Sequence, residues 1–278
     1  MMSEPKRRQA GWYPGFFQRR VEIVVAGSAI AVIALVYSAT HWIGPQLFTH
    51  FEHAPELAAL PKRTATARHL KGDPVNITAV GTEGELVAAM HAAGWAIADR
   101  ANRETDIAIA KSVLFNRPDS TAPVSLLYLF DRPQDIAFER EVGKSARSRH
   151  HVRFWLAKGV AHDGRPVWLG DATFDLRAGM SHRGLHPTHH IAPDVDEERD
   201  TLVANLVKAG QVATLFTVSG MGIRVESHNA EGDRFDTDGE IAAVILAPGN
   251  FPVTHTDTLP EPSVVATKNQ FWRWAHSF

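Results

Sequence analysis

Eighteen consecutive uncharged residues, Ile23 to Thr40, follow a segment that carries Lys6, Arg7, Arg8, Arg19 and Arg20 against the single acid Glu4. Val24, Val25, Ile30, Val32, Ile33, Leu35 and Val36 fill the stretch. With Val21 and Glu22 before it and His41-Trp42-Ile43 after it, the stretch reaches the roughly 20 residues a helix needs to cross a hydrocarbon core. Backbone groups inside lipid must pair within their own segment, so the span has to be helical. A basic cluster precedes it and only a mixed segment follows, which predicts a cytosolic N-terminus and a chain that emerges after Trp42 on the far side of a bacterial inner membrane. Trp12, Tyr13, Phe16 and Phe17 on one side and Trp42 on the other fit an aromatic belt. Cleavage at Tyr37-Ser38-Ala39 would put bulky Tyr37 where a small residue is required, so the span is expected to stay as a signal anchor.

The remaining chain has the composition of a folded domain. Of 278 residues 44% are hydrophobic and 22% charged, enough apolar side chain for a real core. Net charge is −2 and the pI near 6.7, so no overall field recruits nucleic acid, and the expected partners are membrane lipids and a membrane-protein partner. Cysteine is absent, which excludes disulfides, thiolate zinc sites and a cysteine nucleophile together. The expected division is a cytosolic segment over 1–20, the anchor over 21–43, a connector over 44–72, the domain over 73–250 and a Pro- and aromatic-rich tail over 251–278.

Periodicity gives the elements. Pro55 to Leu60 predicts a short helix with Pro at its first position. Val75 to Val80 alternates and is β-branched, hence a strand; Thr82-Glu83-Gly84-Glu85 is a capping box opening a helix that Gly94 stops. Thr105 to Phe115 reads as a second helix. Val124 to Phe130 is an apolar run expected to be a central strand, with a turn at Arg132-Pro133-Gln134-Asp135. Arg149 to Leu156 and Pro166 to Leu176 are strands, and Asp163-Gly164 signals a two-residue hairpin between them. That turn would set Asp175 opposite Val152 and Phe174 opposite Arg153, so His150 and Asp175 would share a face. A helix from Val195 to Ala209 and strands at Gly222–Glu226 and Glu240–Leu246 complete the pattern. Strands in hairpins and helices in ones and twos predict an α+β fold, a mostly antiparallel sheet with flanking helices, preceded by one N-terminal transmembrane helix.

Most of the chemistry falls between Arg149 and Asp200. Seven of fifteen histidines (His150, His151, His162, His182, His186, His189, His190) lie there, among arginines and acids. On a strand Arg149, His151 and Arg153 share one face, while His150, Val152 and Phe154 share the other. His150, His151 and Asp175 are the candidate catalytic groups; Arg149, Arg153 and Asp171 are candidate ligand contacts, guanidinium being suited to phosphate or carboxylate. His182, His189 and His190 are candidate ligands for a divalent metal such as zinc. Adjacent histidines on an extended chain point opposite ways, so His189 and His190 are expected to part. Asp194 with Glu197 reads as a capping box rather than a cation site, leaving Asp196 and Asp200 for other work. No P-loop, HExxH, nucleophile-elbow or dinucleotide motif occurs.

Five stretches, in order, resemble the LssY C-terminal-like domain family: Pro74-Val75-Asn76, Pro123 to Asp135, Arg149 to Trp155, Trp168 to Asp175, and Thr188 to Asp200. The family has no established reaction. Its domain is often carried on membrane proteins, some fused to a DedA-like or a type 2 phosphatidic acid phosphatase module; this chain has one span and neither module, so no phosphatase residue transfers to it. The expectation is a membrane-anchored periplasmic accessory or binding domain for an anionic ligand, phosphate or lipid headgroup, or for a membrane partner. The alternative is a metal-dependent or His-based hydrolase of a phosphate- or lipid-linked substrate.

Overall fold

The computed structural model describes residues 14–39, 50–98, 126–143, 148–161, 163–180, 182, 187–220 and 225–275. The chain forms two compact units, divided after Phe48. The first contains helix α1 (Pro14–Ser38), whose stretch Arg19–Ser38 has a mean hydropathy of 2.2 and is long and apolar enough to cross a membrane.

The second unit is α+β, with mostly antiparallel strands. Short helix α2 (Pro55–Ala58) begins with Pro55 as expected. A four-stranded sheet follows, in the order β2 (Lys71–Pro74), β1 (Arg63–Ala65), β5 (Tyr128–Leu129), β6 (Arg132–Pro133). The main sheet runs β15 (Asp257–Thr258), β11 (Val212–Ser219), β14 (Glu240–Leu246), β3 (Ile77–Val80), β9 (Pro166–Met180), β8 (Arg149–Val160), β7 (Ile136–Glu141), β4 (Ala96–Ile97), with β10 (Pro187–Ile191) added along the later half of β9. Only β14–β3 and β11–β15 are parallel among its described pairs. β12 (Val225–His228) and β13 (Arg234–Thr237) make a separate hairpin.

Alternation gives the sheet two working faces. One, with Ile77, Val152, Phe154, Trp168 and Val244, packs on Leu86 and Met90 of α3 (Glu83–Ala92) and Leu202 and Leu206 of α4 (Val195–Lys208). The other, with Val80, Trp155, Leu169 and Ile241, packs on Leu57, Leu127 and Leu129 from α2 and the small sheet. On β8 and β9 this second face turns from apolar to charged beyond Trp155 and Leu169, and the candidate site begins there. The Thr82 capping box forms in full, Glu85 N donating to Thr82 Oγ1 (3.2 Å) and Thr82 N to Glu85 Oε2 (2.8 Å).

Asn76 bridges the gap that β3 and β10 leave along one side of β9. Its Nδ2 donates to Ala172 O (2.9 Å) and Val195 O (3.1 Å), and its Oδ1 accepts from Ala172 N (2.9 Å). A side-chain amide thus continues the ladder where the backbone does not, satisfying buried groups that would each cost about 1–3 kcal/mol if orphaned. Asn76 is fully buried, so the Asn76-Ile77-Thr78 sequon offers no acceptor in the folded chain.

Two expectations need correction. Asp175 faces Arg149, not Val152, and Phe174 faces His150, not Arg153. The turn is closed by Ala161 N donating to Arg165 O (2.8 Å) with Gly164 at φ 80°, one residue longer than a two-residue hairpin. An odd shift moves every side chain of one strand to the other face, and the bulge between Leu156 and Val160 adds two residues without restoring it. Asp175 therefore shares a face with His151 and not with His150. Secondly, the described part of the Val124–Phe130 run is not a central strand of the main sheet. Tyr128–Leu129 lies in the small sheet because Phe130 and Asp131 both take positive φ (54° and 60°) and turn the chain back. The turn thereby sits at Phe130-Asp131, and Arg132–Pro133 is strand. The tail itself carries a helix, α5 (Ser263–Ala275), that buries Val265, Lys268 and Asn269; Lys268 Nζ donates to Ser219 Oγ (2.8 Å). The expected helix over 105–115, residues 124–125, His186 and the first part of the strand expected over 222–226 lie outside the described residues.

Candidate functional site

Three neighbouring strands build a buried charged patch. The register sets Glu139 of β7 beside His151 of β8, Arg149 beside Asp175 of β9, and Arg153 beside Asp171. His151 Nδ1 lies 3.0 Å from Asp175 Oδ2 and its Nε2 3.5 Å from Glu139 Oε2. Arg149 Nη1 donates to the same Glu139 oxygen (2.9 Å), and Arg153 Nη1 to Asp171 Oδ2 (3.4 Å). From β10, His189 places Nδ1 3.3 Å from Asp175 Oδ2, so two imidazoles share one carboxylate oxygen. Asp73 of β2 adds a further acid, its Oδ1 accepting from Asn229 Nδ2 (3.0 Å). Asp73, His151, Arg153, Asp175 and His189 line a cavity of about 80 Å³, with Leu126, Leu127 and Ile191 among its apolar walls.

The environments drive these groups apart. Burial lifts Asp171 to about 7 despite Arg153. Burial also raises Asp73, against the opposing pull of Arg153 and the Asn229 hydrogen bond. Asp175 is as deeply buried, yet His151, His189 and Arg153 hold it well below the usual carboxylate range. Burial pulls His151 down, but Asp175, with help from Glu139, more than offsets it and leaves the ring above its ordinary value. His189, facing fewer acids, is pushed below by burial. Carboxyl groups separated in this way within one small site are an arrangement suited to proton transfer. His189 Nε2 is buried and makes no hydrogen bond, a state that a native structure normally resolves with water or a ligand.

The nine candidate residues do not form one site. His151, Asp175, Arg149, Arg153, Asp171 and His189 converge. His150 turns to the helical face, where Nδ1 lies 2.6 Å from Glu198 Oε2 of α4 and the ring packs near Trp95 and Phe174; it docks the helix. The histidine triplet proposed as metal ligands is divided by the pleat of β10: His189 joins the charged patch, while His190 places Nδ1 2.6 Å from Asp233 Oδ1 with His182 nearby. Asp194 caps α4 by accepting from Asp196 N and Glu197 N (both 3.1 Å), and Asp196 is used by Thr237 Oγ1 (2.8 Å) and Arg199 Nη1 (3.2 Å). Sequence reasoning missed Asp73, Glu139, Asn229 and Asp233. Glu139 sits on β7, directly before the Arg/His strand in the chain, whereas Asp73 on β2 and Asn229 and Asp233 in the β12–β13 connection come from distant parts of the sequence.

An N-terminal helix fit to span a membrane, followed by an α+β domain with a buried acid–imidazole cluster at a small cavity, defines the class of molecule. The chain belongs to the LssY C-terminus family, whose profile matches residues 57–241 and thus takes in every strand of the cluster. Comparison with curated proteins and with solved structures gave no match.

Proposed function

We propose that the domain hydrolyses an ester, carboxylic or phosphoric, carried by a lipid- or phosphate-linked substrate, with His189 as general base, Asp175 as its positioning residue and Asp73 as general acid. The observation that carries this is the state of His189: Nδ1 is engaged by Asp175, and Nε2 is buried, unbonded and part of a residue lining the cavity. With the proton on Nδ1, Nε2 presents a lone pair. A water there gives its proton to Nε2 as its oxygen bonds to the carbonyl carbon or phosphorus. The bond to the leaving oxygen breaks, and that oxygen takes the proton of Asp73; solvent then returns a proton from His189 to Asp73. A cavity of about 80 Å³ admits a water and the ester head, so any lipid chain would stay outside. His151, enclosed between Asp175 and Glu139, keeps the charge of the site in place.

The accessory-domain reading, in which Arg149 and Arg153 receive an anionic headgroup, has less support, because both guanidinium groups already face buried carboxylates. For location, the five basic residues before the span support a cytoplasmic N-terminus and a domain held against the periplasmic surface of a bacterial inner membrane. A C-terminal alkaline phosphatase fusion is expected to be active and a C-terminal fluorescent protein that folds only in the cytosol dark; the reverse pair of results places the domain inside.

The chemistry is tested with the full chain in detergent and two probes, p-nitrophenyl acetate and p-nitrophenyl phosphate. Turnover of at least one is expected, with kcat falling by about 100-fold or more in His189→Gln, the usual share of a general base. Melting of the variant is expected to stay close to the parent's, since Gln keeps a polar amide against Asp175 Oδ2. Absence of turnover on both probes, or equal turnover by His189→Gln, overturns the assignment.

A further inference from the structure

The far side of β10 carries a second cluster that the hydrolytic reading leaves unused. His190 Nδ1 is 2.6 Å from Asp233 Oδ1, and His182 Nε2 is 3.5 Å from the same oxygen. The two rings lie 4.6 Å apart, and one donor atom from each of the three residues falls within 4.8 Å of the others. Each residue is fixed by backbone. His182 N donates to Glu231 O (3.0 Å); Asp233 N donates to Asn229 Oδ1 (2.9 Å) and its Oδ2 accepts from Ile191 N (3.4 Å). Gly179 of β9 lies directly beneath the His190 ring, where a Cβ would stand 2.7 Å from Nε2. A glycine is what lets the imidazole lie that close to the strand.

We infer that His182, His190 and Asp233 form a binding site for one zinc ion. Two imidazoles and a carboxylate match zinc's preference for nitrogen and oxygen donors, and a chain without cysteine has no thiolate to offer instead. Tetrahedral ligands at about 2.0–2.2 Å from the ion stand roughly 3.3 Å apart. His182 Nε2, 3.5 Å from Asp233 Oδ1, already stands near that spacing, while the His190–Asp233 pair at 2.6 Å must open by about 0.7 Å to admit the ion, and the His182 ring, 55% exposed, has room to follow. The hydrogen bond from Ile191 N to the second Asp233 oxygen serves as the outer support that ligating carboxylates normally have. Exposure of His182 also gives the ion a route in and leaves a fourth position for water. Bound there, zinc ties the ends of β9 and β10 to the β12–β13 hairpin. That hairpin's Asn229 holds Asp73, so the clip would also stiffen the cavity on the other side. The site stands on its own geometry and does not depend on ester hydrolysis.

Full-length protein in detergent, stripped with chelator and dialysed against zinc, is expected to retain about one zinc per chain by elemental analysis. His182→Ala and Asp233→Asn are expected to weaken binding at least about tenfold, the least loss seen when a metal site is perturbed. His255→Ala removes an imidazole 83% exposed and 3.6 Å from Asp257, a His–acid pair without a third ligand, and is expected to bind as the parent does. Zinc should raise the melting temperature of the parent and not that of His182→Ala, whose metal-free melting should equal the metal-free parent's. No zinc retained by the parent, or parental affinity in both His182→Ala and Asp233→Asn, overturns the inference; neither result bears on turnover by His189.

Discussion

Asp175→Ala is expected to destabilise the domain by about 3–5 kcal/mol at neutral pH, the cost of breaking a buried ion pair by removing one partner. Asp175 Oδ2 is shared by His151 (3.0 Å) and His189 (3.3 Å), and Arg153 adds to the field that keeps the carboxylate ionised. Deleting it leaves His151 with Glu139 alone, in a position that is essentially sealed from solvent. Two responses are open to the protein. Either His151 gives up its proton, or water enters the patch; both forfeit the attraction that offset burying these groups. Urea unfolding followed by tryptophan fluorescence is a suitable measurement, because Trp95, Trp155 and Trp168 are all buried. Asp175→Asn keeps the shape and one acceptor but not the charge, so its loss should be smaller and His151 should titrate lower. A loss below about 1 kcal/mol for Asp175→Ala would mean that His151, His189 and Arg153 are satisfied by other groups, and the central place given to this carboxylate would be wrong.

What the sequence disclosed depended on how local the cause was. The β3 strand, the Thr82 capping box and the start of the helix after Asp194 are each decided within about one turn of chain, and all three form where the residues place them. Strand alternation likewise parted His150 from His151 and His189 from His190, because the pleat has period two whatever the partners are. Register was a different matter. It turned on whether the Asp163-Gly164 connection counts two residues or three, and one residue changed which histidine Asp175 meets. The apolar run before Asp131 looked like a central strand because nothing in it announces positive φ at Phe130, a conformation imposed by packing rather than by the residue. Asp73, Asn229 and Asp233 stayed hidden for the same reason: each meets the site only through contacts between distant parts of the chain, such as the bond from Asn229 to Asp73. The tail helix α5 was not anticipated, because what fixes it, such as Lys268 Nζ donating to Ser219 Oγ, is again a contact between distant parts of the chain.

Raising the pH from about 5 to about 8 is expected to weaken the domain, with Asp171 as a main cause. An unfolded aspartate ionises near 3.9, whereas burial lifts Asp171 to about 7 in the folded chain. Between these values the folded state keeps a proton that the unfolded state has released, so stability falls as the pH rises, levelling off above the folded value. Across this window the effect is on the order of 3 kcal/mol. The groups around Asp171 set the sign of what is added. Glu240, lifted by burial to about 7, changes in the same direction. His151, held above its ordinary value, stabilises the fold below about 6.5 and loses that contribution as the pH passes its folded value. Asp175 works the other way, its contribution being lost only on acidification below about 4, outside this window. Asp73, raised by burial, sides with Asp171, and the positive charge of Arg153 opposes both. Asp171→Asn separates these terms, since it stays neutral at every pH while keeping an acceptor for Arg153. The variant's advantage over the parent should grow steadily from pH 5 to about 7 and then level off, with Glu240→Gln as an independent partial effect. Urea unfolding across the window reads this directly. An Asp171→Asn profile as steep as the parent's would show that Asp171 is ionised throughout, with Arg153 outweighing burial, and the proton ascribed to this carboxyl group would have to be placed elsewhere in the cluster.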